Sequence, residues 1–343
     1  MERLIYYGSV DAIPFYNCSW KTSEEWTASG LRRPYLGWFL TIFGITVEFL
    51  YLPILYIIFK TRLIRYACYK LIVLLALTDM SATTCSSIIS GILYIQGAVF
   101  CTYPTFEYIA GGFAINTWCM ACAITISLFA NRVCSIAFQE YADVIEGKLA
   151  YASMIFSTVY GGWILFFTPV ICFNSEAIAW LPEPLSEKEP SKEADDYYNN
   201  DWQSWNNWLF VAIMAFLYTT YCILVKKLAH GQKSKASKAI FIQCAVICFF
   251  NTVTALVYNA LSMVTPDQWI LYLGQLAWSI NHGCPAIIYL TMNETINREF
   301  RRKFLRQKVH PRVCKMANDS DTEEFQKAES TTSNVHTATT MHA

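Results

Sequence analysis

Leu36–Phe59 reads LGWFLTIFGITVEFLYLPILYIIF, and Lys60-Thr61-Arg62 follows at once. The stretch carries one charge, Glu48, and it ends on basic residues. About 20 consecutive apolar residues suffice to cross a bilayer as a helix. Six further runs of this kind follow: Tyr69–Ile95, Thr102–Asn131, Ala150–Phe173, Trp205–Val225, Ala239–Met263 and Gln268–Met292. In lipid a spanning segment must satisfy its own backbone, and no run shows the two-residue alternation of a barrel strand. The sequence predicts an all-α membrane protein, a seven-transmembrane helix bundle spanning 36–292.

Charge orients the bundle. Of 26 Lys and Arg, the connections after helices one, three and five and the C-terminal segment hold twenty. The opposite face holds six, namely Arg3, Lys21, Arg32, Arg33, Lys188 and Lys192. Lys and Arg resist translocation, so the rich face is expected in the cytoplasm and residues 1–35 outside. Apolar residues make up 55% of the chain and charged ones 15%, with no net charge. That balance suggests a lipid bilayer as partner and no nucleic acid. The first thirty residues have no apolar core of a signal peptide, so helix one is expected to act as its own insertion signal.

On the outer side, Asn17-Cys18-Ser19 is a glycosylation sequon in a luminal setting. Asn293 and Asn318 also head sequons, but on the inner side. Most of the thirteen cysteines lie in helices, where a small apolar filler is the ordinary role. Cys18 and Cys101 lie in outer segments and form the simplest disulfide; Cys172, at the outer end of helix four, competes. The long second outer loop is acidic and ends in Tyr197, Tyr198, Trp202, Trp205 and Trp208. It reads either as a solvated loop with interfacial aromatics or as a vestibule that concentrates cations.

On the inner side, Arg132 stands at the end of helix three. Helix seven carries Asn281 and His282, then Pro285 and Tyr289. Beyond it Ile296, Phe300 and Phe304 repeat every four residues among five basic ones. That spacing predicts an amphipathic eighth helix over 293–310, lying on the inner leaflet. Residues 311–343 are polar and expected to be disordered, with Cys314 a candidate for palmitoylation.

Several stretches resemble the nematode serpentine chemoreceptors of class T. They are Phe15-Tyr16-Asn17-Cys18-Ser19, Glu25-Trp26, Arg33-Pro34, Leu50-Tyr51-Leu52-Pro53, Cys68-Tyr69-Lys70, Leu77-Thr78-Asp79-Met80, Cys101 with Pro104, and Asn131-Arg132. The likeness runs from about residue 13 to 305. It implies a G-protein-coupled receptor in a sensory-neuron membrane, in the cilia, that detects a small-molecule ligand and signals through a heterotrimeric G protein. It also implies that Arg132 contacts the G protein and that Pro285 and Tyr289 form a switch. The chain departs from the wider rhodopsin-like pattern: Asn131 replaces an acidic neighbour of Arg132, Tyr289 lies four residues after Pro285, and helix six lacks proline.

Two groups of residues are candidates for the working parts. An aromatic pocket among helices three, six and seven would use Phe106, Glu107, Phe113, Trp118, Trp269, Tyr272 and Trp278, each of which packing or interface anchoring also explains. A buried polar layer would join Glu48, Asp79, Asn281 and His282. At 1.5 Å per residue, Glu48, Asp79 and His282 lie about 17, 14 and 15 Å from the inner helix ends. Ionisable groups at that depth normally face the bundle and find partners, as static glue or as a switch. No cofactor, metal cluster or catalytic arrangement is apparent, so an enzyme is not expected. A retinal photoreceptor is excluded because helix seven has no Lys. The rival functions are a ligand-gated ion channel, which would place the N-terminus inside, and a small-solute transporter, for which no internal repeat is visible.

Overall fold

The computed structural model describes residues 1–141, 144–185, 191–228, 235–261 and 267–307. The segment from 311, with Cys314, and Lys188 and Asn318 lie outside the described residues.

Seven long helices form the bundle: Pro34–Lys60, Ala67–Gln96, Pro104–Ala137, Ala150–Phe167, Asp201–Leu228, Lys235–Leu261 and Gln268–Met292. Six of them meet length and apolarity criteria for crossing a membrane. Helix seven is long enough but less apolar, because Gln275, Ser279, Asn281 and His282 interrupt it; all four are buried against neighbours. Helix three is central and packs on helices two, four, five and six. Helix seven closes the ring against helices one, two and six.

Several ends differ from the sequence reading, each for a local reason. Helix three runs past Asn131 to Ala137, so Arg132 sits inside the helix rather than at its tip. Helix four stops at Phe167, not Phe173. Pro169 forces Thr168 into the extended region (φ −111°, ψ 155°), which no helix continues. The chain then forms β1, Cys172–Asn174, which pairs antiparallel with β2, Ala179–Leu181. Among the described residues helix eight covers Glu294–Lys303; of the 293–310 expected, 308–310 lie outside them. Asn293 caps it by accepting the Ile296 backbone N–H, and Ile296 is buried while Phe304 stays half exposed.

Helix two contains a segment no periodicity announces. Residues Thr84–Ile89 form a π-turn between two α-helical halves. A π-turn breaks the regular ladder and leaves carbonyls to be satisfied from outside. Cys85 O accepts the Ser90 hydroxyl at 2.8 Å, and Ser86 O accepts Gln275 Nε2 at 2.7 Å and Ser279 Oγ at 3.1 Å.

The N-terminal segment is folded, not a loose tail. Its short helix Ser23–Ser29 carries a capping box between Thr22 and Glu25. Cys18 and Cys101 are joined by a disulfide with Cα atoms 5.5 Å apart, and Cys172 is a free thiol in the same buried cluster. Burial, with Glu107 alongside, pushes the Cys172 thiol well above its ordinary range. The thiolate is the reactive form, so Cys172 is held inert beside the bond. The Trp26 indole donates to Cys18 O at 3.0 Å, and the Tyr198 hydroxyl donates to Phe15 O at 2.7 Å. Arg33 clamps the hairpin by donating to Ser175 O (2.9 Å) and Glu176 O (3.1 Å) while also bonding the Tyr272 hydroxyl. The hairpin lies so close to helix three that a Cβ at Gly111 would collide with the carbonyl of Ile171.

Two outcomes follow from this cap. Gly111→Ala is expected to destabilise the protein by about 1–3 kcal/mol, the usual cost of overpacking, because backbone cannot give way as a side-chain tip can. Gly162→Ala, where a Cβ meets open space within helix four, is the control in the same thermal melt and is expected to gain up to about 1 kcal/mol. Cys18→Ser opens a crosslink spanning 83 residues and is expected to cost roughly 2–5 kcal/mol, read as a lower melting temperature and reduced surface expression.

Candidate functional site

The bundle holds a small internal cavity of about 20 Å³ below the hairpin, room for about one water. Helix three lines it with Ala114, Ile115 and Trp118, helix five with Gln203, helix six with Tyr258 and helix seven with Trp278; Ile171 and Trp180 cover it from the hairpin side. Trp118 Nε1 donates to Asn207 Oδ1 at 2.8 Å, which ties the cavity wall to helix five. Asn207 is bonded in turn to Asn206, and Asn206 to the Tyr160 hydroxyl of helix four. The Trp180 indole donates to Ser90 Oγ at 2.8 Å, next to the π-turn.

Of the seven pocket candidates, the structure brings Trp118 and Trp278 to this cavity. Phe106, Phe113 and Trp269 do not line it; they are 50, 45 and 63% exposed on the outer surface of the bundle. Helical periodicity carries them around to the outside of the bundle, away from the cavity. Tyr272 lies at the end of helix seven with Arg33, outside the lining. Glu107 is fully buried, one helical face above Gly111, Ala114 and Trp118, with the backbone of Phe173 close to it.

Below the cavity, three helices meet through charge and hydroxyl. Asp79 Oδ1 lies 2.7 Å from His282 Nδ1. Tyr51 donates its hydroxyl toward both Asp79 Oδ2 (3.0 Å) and the carbonyl of His282 (3.1 Å). All three side chains are buried. The His282 ring stands edge-on to Trp118, with centroids 6.0 Å apart at 88°. The cavity wall therefore rests directly on the polar cluster.

Glu48 is not a member. It is half-buried and accepts from Thr84 Oγ1 at 3.2 Å, one helix face away from Asp79. Tyr51, one turn further along helix one, takes the place level with Asp79, and Glu48 meets helix two five residues beyond it. Asn281 is buried and donates to Asn251 Oδ1 of helix six at 3.3 Å, a separate link. Pro285 lies inside helix seven and cannot donate to Asn281 O; the Cys284 thiol reaches that carbonyl instead, at 3.6 Å. Tyr289 is fully buried, facing Cys244 and Cys248 of helix six. Arg132 is half-buried near Cys244, while Asn131 donates to Ile145 O at 3.3 Å. Asn17 is exposed, with its Oδ1 accepting from the Ser19 backbone and hydroxyl.

Sequence reading missed Tyr51, Trp180, Tyr258, Gln203, Asn207 and Asn251. Tyr51 offered only a shared signal, a hydroxyl three residues from Glu48 in a run that also holds Thr41, Thr46 and Tyr56. Trp180 offered none, since no periodicity connects a loop residue to the bundle interior. Among the described residues no group of three or more His, Cys, Asp or Glu converges to hold a metal ion.

The fold is similar to that of squid rhodopsin, with a TM-score of 0.60 over 90% of each chain at 14% identity. At that identity the likeness speaks for the fold alone. In sequence the chain is 22% identical over 317 residues to "Serpentine receptor class T-55" of Caenorhabditis elegans, covering 89% of this chain and 82% of that one. A family model described as "Serpentine type 7TM GPCR chemoreceptor Srt" matches residues 3–313. With nearly the whole length matched, from the N-terminal cap through helix eight, the chain belongs to the Srt family of serpentine seven-transmembrane chemoreceptors.

Proposed function

We infer that this chain binds a small molecule in the aromatic cavity under the hairpin and passes the event to a heterotrimeric G protein at the opposite end of the bundle. In this reading residues 1–35 face the outside and Asn17 is glycosylated. The bundle of residues 36–292 spans the plasma membrane of a sensory cell, ciliary by family. Helix eight and the segment from 311 then lie in the cytoplasm.

The observation that carries the reading is the contact of Trp118 with His282. A ligand shifts a conformational equilibrium only by the difference in its interaction with the two states. Trp118 is a wall of the cavity, and the ring it touches is bonded to Asp79. A buried hydrogen-bonded pair has a few discrete arrangements, since an ionisable group left without a partner at that depth is costly. Moving Trp118 thus biases how helices two and seven pair. Arg132 lies fourteen residues further along the same helix, about 21 Å at 1.5 Å per residue. There Arg132 is the contact to the G protein, and Pro285 and Tyr289 are the part of helix seven that moves against helix six. Asp79, His282 and Tyr51 form the switch; Asn281 links it to helix six through Asn251.

A ligand screen in cells carrying a promiscuous G protein tests the signalling. Evoked currents that persist when G proteins are blocked would favour a channel instead. For a ligand so found, Asp79→Asn is expected to shift the half-maximal dose or the basal level by on the order of 5–150-fold, the usual span of a coupling energy. Unchanged basal and evoked signalling in a surface-expressed Asp79→Asn receptor would reduce the cluster to static glue. Arg132→Ala is expected to lower evoked signalling tenfold or more, roughly 1.4 kcal/mol, with ligand binding and surface expression retained. Normal signalling by that variant would remove Arg132 from the G-protein contact.

A further inference from the structure

Trp180 does not belong to any of the seven helices, yet it sits inside the bundle. It comes from β2, a strand of three residues in a two-stranded hairpin, and it is 6% exposed. Loop tryptophans of membrane proteins normally rest at the interface. This one packs its ring on Phe173 (5.4 Å between centroids, 66°), which packs on Tyr94 of helix two (4.7 Å, 68°). Its indole N–H meets Ser90 Oγ, a fully buried hydroxyl. The space left beside it holds no more than about one water.

We propose that the ligand slot is filled by the receptor's own indole, and that the ligand is a flat aromatic molecule with an N–H or O–H donor that displaces Trp180 and takes its bond to Ser90. This rests on the reading of the cavity as the ligand site.

Three observations select that chemistry. First, a ligand larger than water has to take room from a wall. Trp118 is tied by its bond to Asn207 and lies within a long packed helix. Trp180 is one side chain on a three-residue strand, so its departure requires no shift of a spanning helix. Second, an indole-sized ring buries on the order of 150–250 Å² of surface, so what replaces it must offer a comparable flat apolar body. Third, the polar end of the slot is an acceptor. Ser90 spends its only hydroxyl proton on the carbonyl of Cys85, so its oxygen offers lone pairs alone. A carboxylate or other pure acceptor would face those lone pairs and be rejected.

The same geometry gives the displacement a readout. Ser90 ends the π-turn, and the neighbouring carbonyl of Ser86 holds Gln275 and Ser279 of helix seven. Helix seven carries His282 one turn below Ser279. A group bonded to Ser90 therefore acts on the segment that positions helix seven.

The test uses the purified full-length receptor in lipid nanodiscs, with indole as the probe and indene, the same shape without the N–H, as its partner. Thermal melting and calorimetry are read with no G protein present. Trp180→Ala is expected to melt lower than wild type and to regain stability saturably with indole, at an apparent affinity at least tenfold tighter than wild type. Indene is expected to bind that variant tenfold more weakly than indole. In Trp180→Ala with Ser90→Ala the two probes are expected to become equal. Trp180→Phe, which keeps a ring and loses the donor, provides a milder opening if the alanine variant does not accumulate, and the same preference for indole over indene is expected there. The proposal is overturned if the Trp180 variants bind indole no better than wild type, or if indene matches indole while Ser90 is present. Because no signalling is measured, success here with no G-protein response in cells would keep the slot and remove the signalling reading. Failure here with a normal cellular response would do the reverse.

Discussion

A carboxylate in the middle of a membrane protein needs a partner, and Asp79 has two. His282 and Tyr51 approach it from helices seven and one, so one residue of helix two fixes the rotation and height of three helices. Insertion scales put a lone acid at that depth at roughly 2.5–3.5 kcal/mol, and leaving a buried hydrogen-bonding group unsatisfied costs about 1–3 kcal/mol. The packing of helices one, two and seven therefore follows from this contact more than from apolar matching, because lipid tails are as apolar as the helix faces. Close approach of helices one and two follows the same logic, with Gly37 against the backbone of Gly91.

The second constraint is the π-turn at Thr84–Ile89. It releases carbonyls inside the bundle, and those of Cys85 and Ser86 find donors in particular places. Ser90 answers from the same helix, and Gln275 and Ser279 answer from helix seven. Helix two is thereby bonded to helix seven at two levels, once through its backbone and once through Asp79. The hairpin attaches to the upper level through Trp180 and Ser90, and the cavity wall attaches to the lower one through Trp118 and His282. The N-terminal cap and the bundle interior form one connected set of contacts.

The cap itself is held by three different devices. The disulfide fixes the N-terminal segment to the start of helix three. Arg33 fixes the hairpin loop and helix seven to the start of helix one. Gly111 lets the hairpin backbone lie against helix three. The bond partner of Cys101 is the N-terminal segment rather than β1, although Cys172 is in the same cluster. Burial keeps the Cys172 thiol protonated, which leaves the exchange without a nucleophile.

Sequence by itself determined the bundle. Seven apolar runs, the basic bias of their connections and the four-residue repeat of Ile296, Phe300 and Phe304 are one-dimensional signals, because bilayer thickness and helix rise convert length directly into a span. Depth was legible for the same reason, and it placed Asp79 and His282 at one level. Rotation was not legible. Glu48 meets Thr84 rather than Asp79, and Phe106, Phe113 and Trp269 look outward, since a uniformly apolar helix carries no stripe to show which side its neighbours occupy. The π-turn, the entry of Trp180 and the Trp118–His282 contact belong to the tertiary structure alone. Each depends on a non-local partner, and no spacing within a single run encodes where a loop or another helix comes to rest.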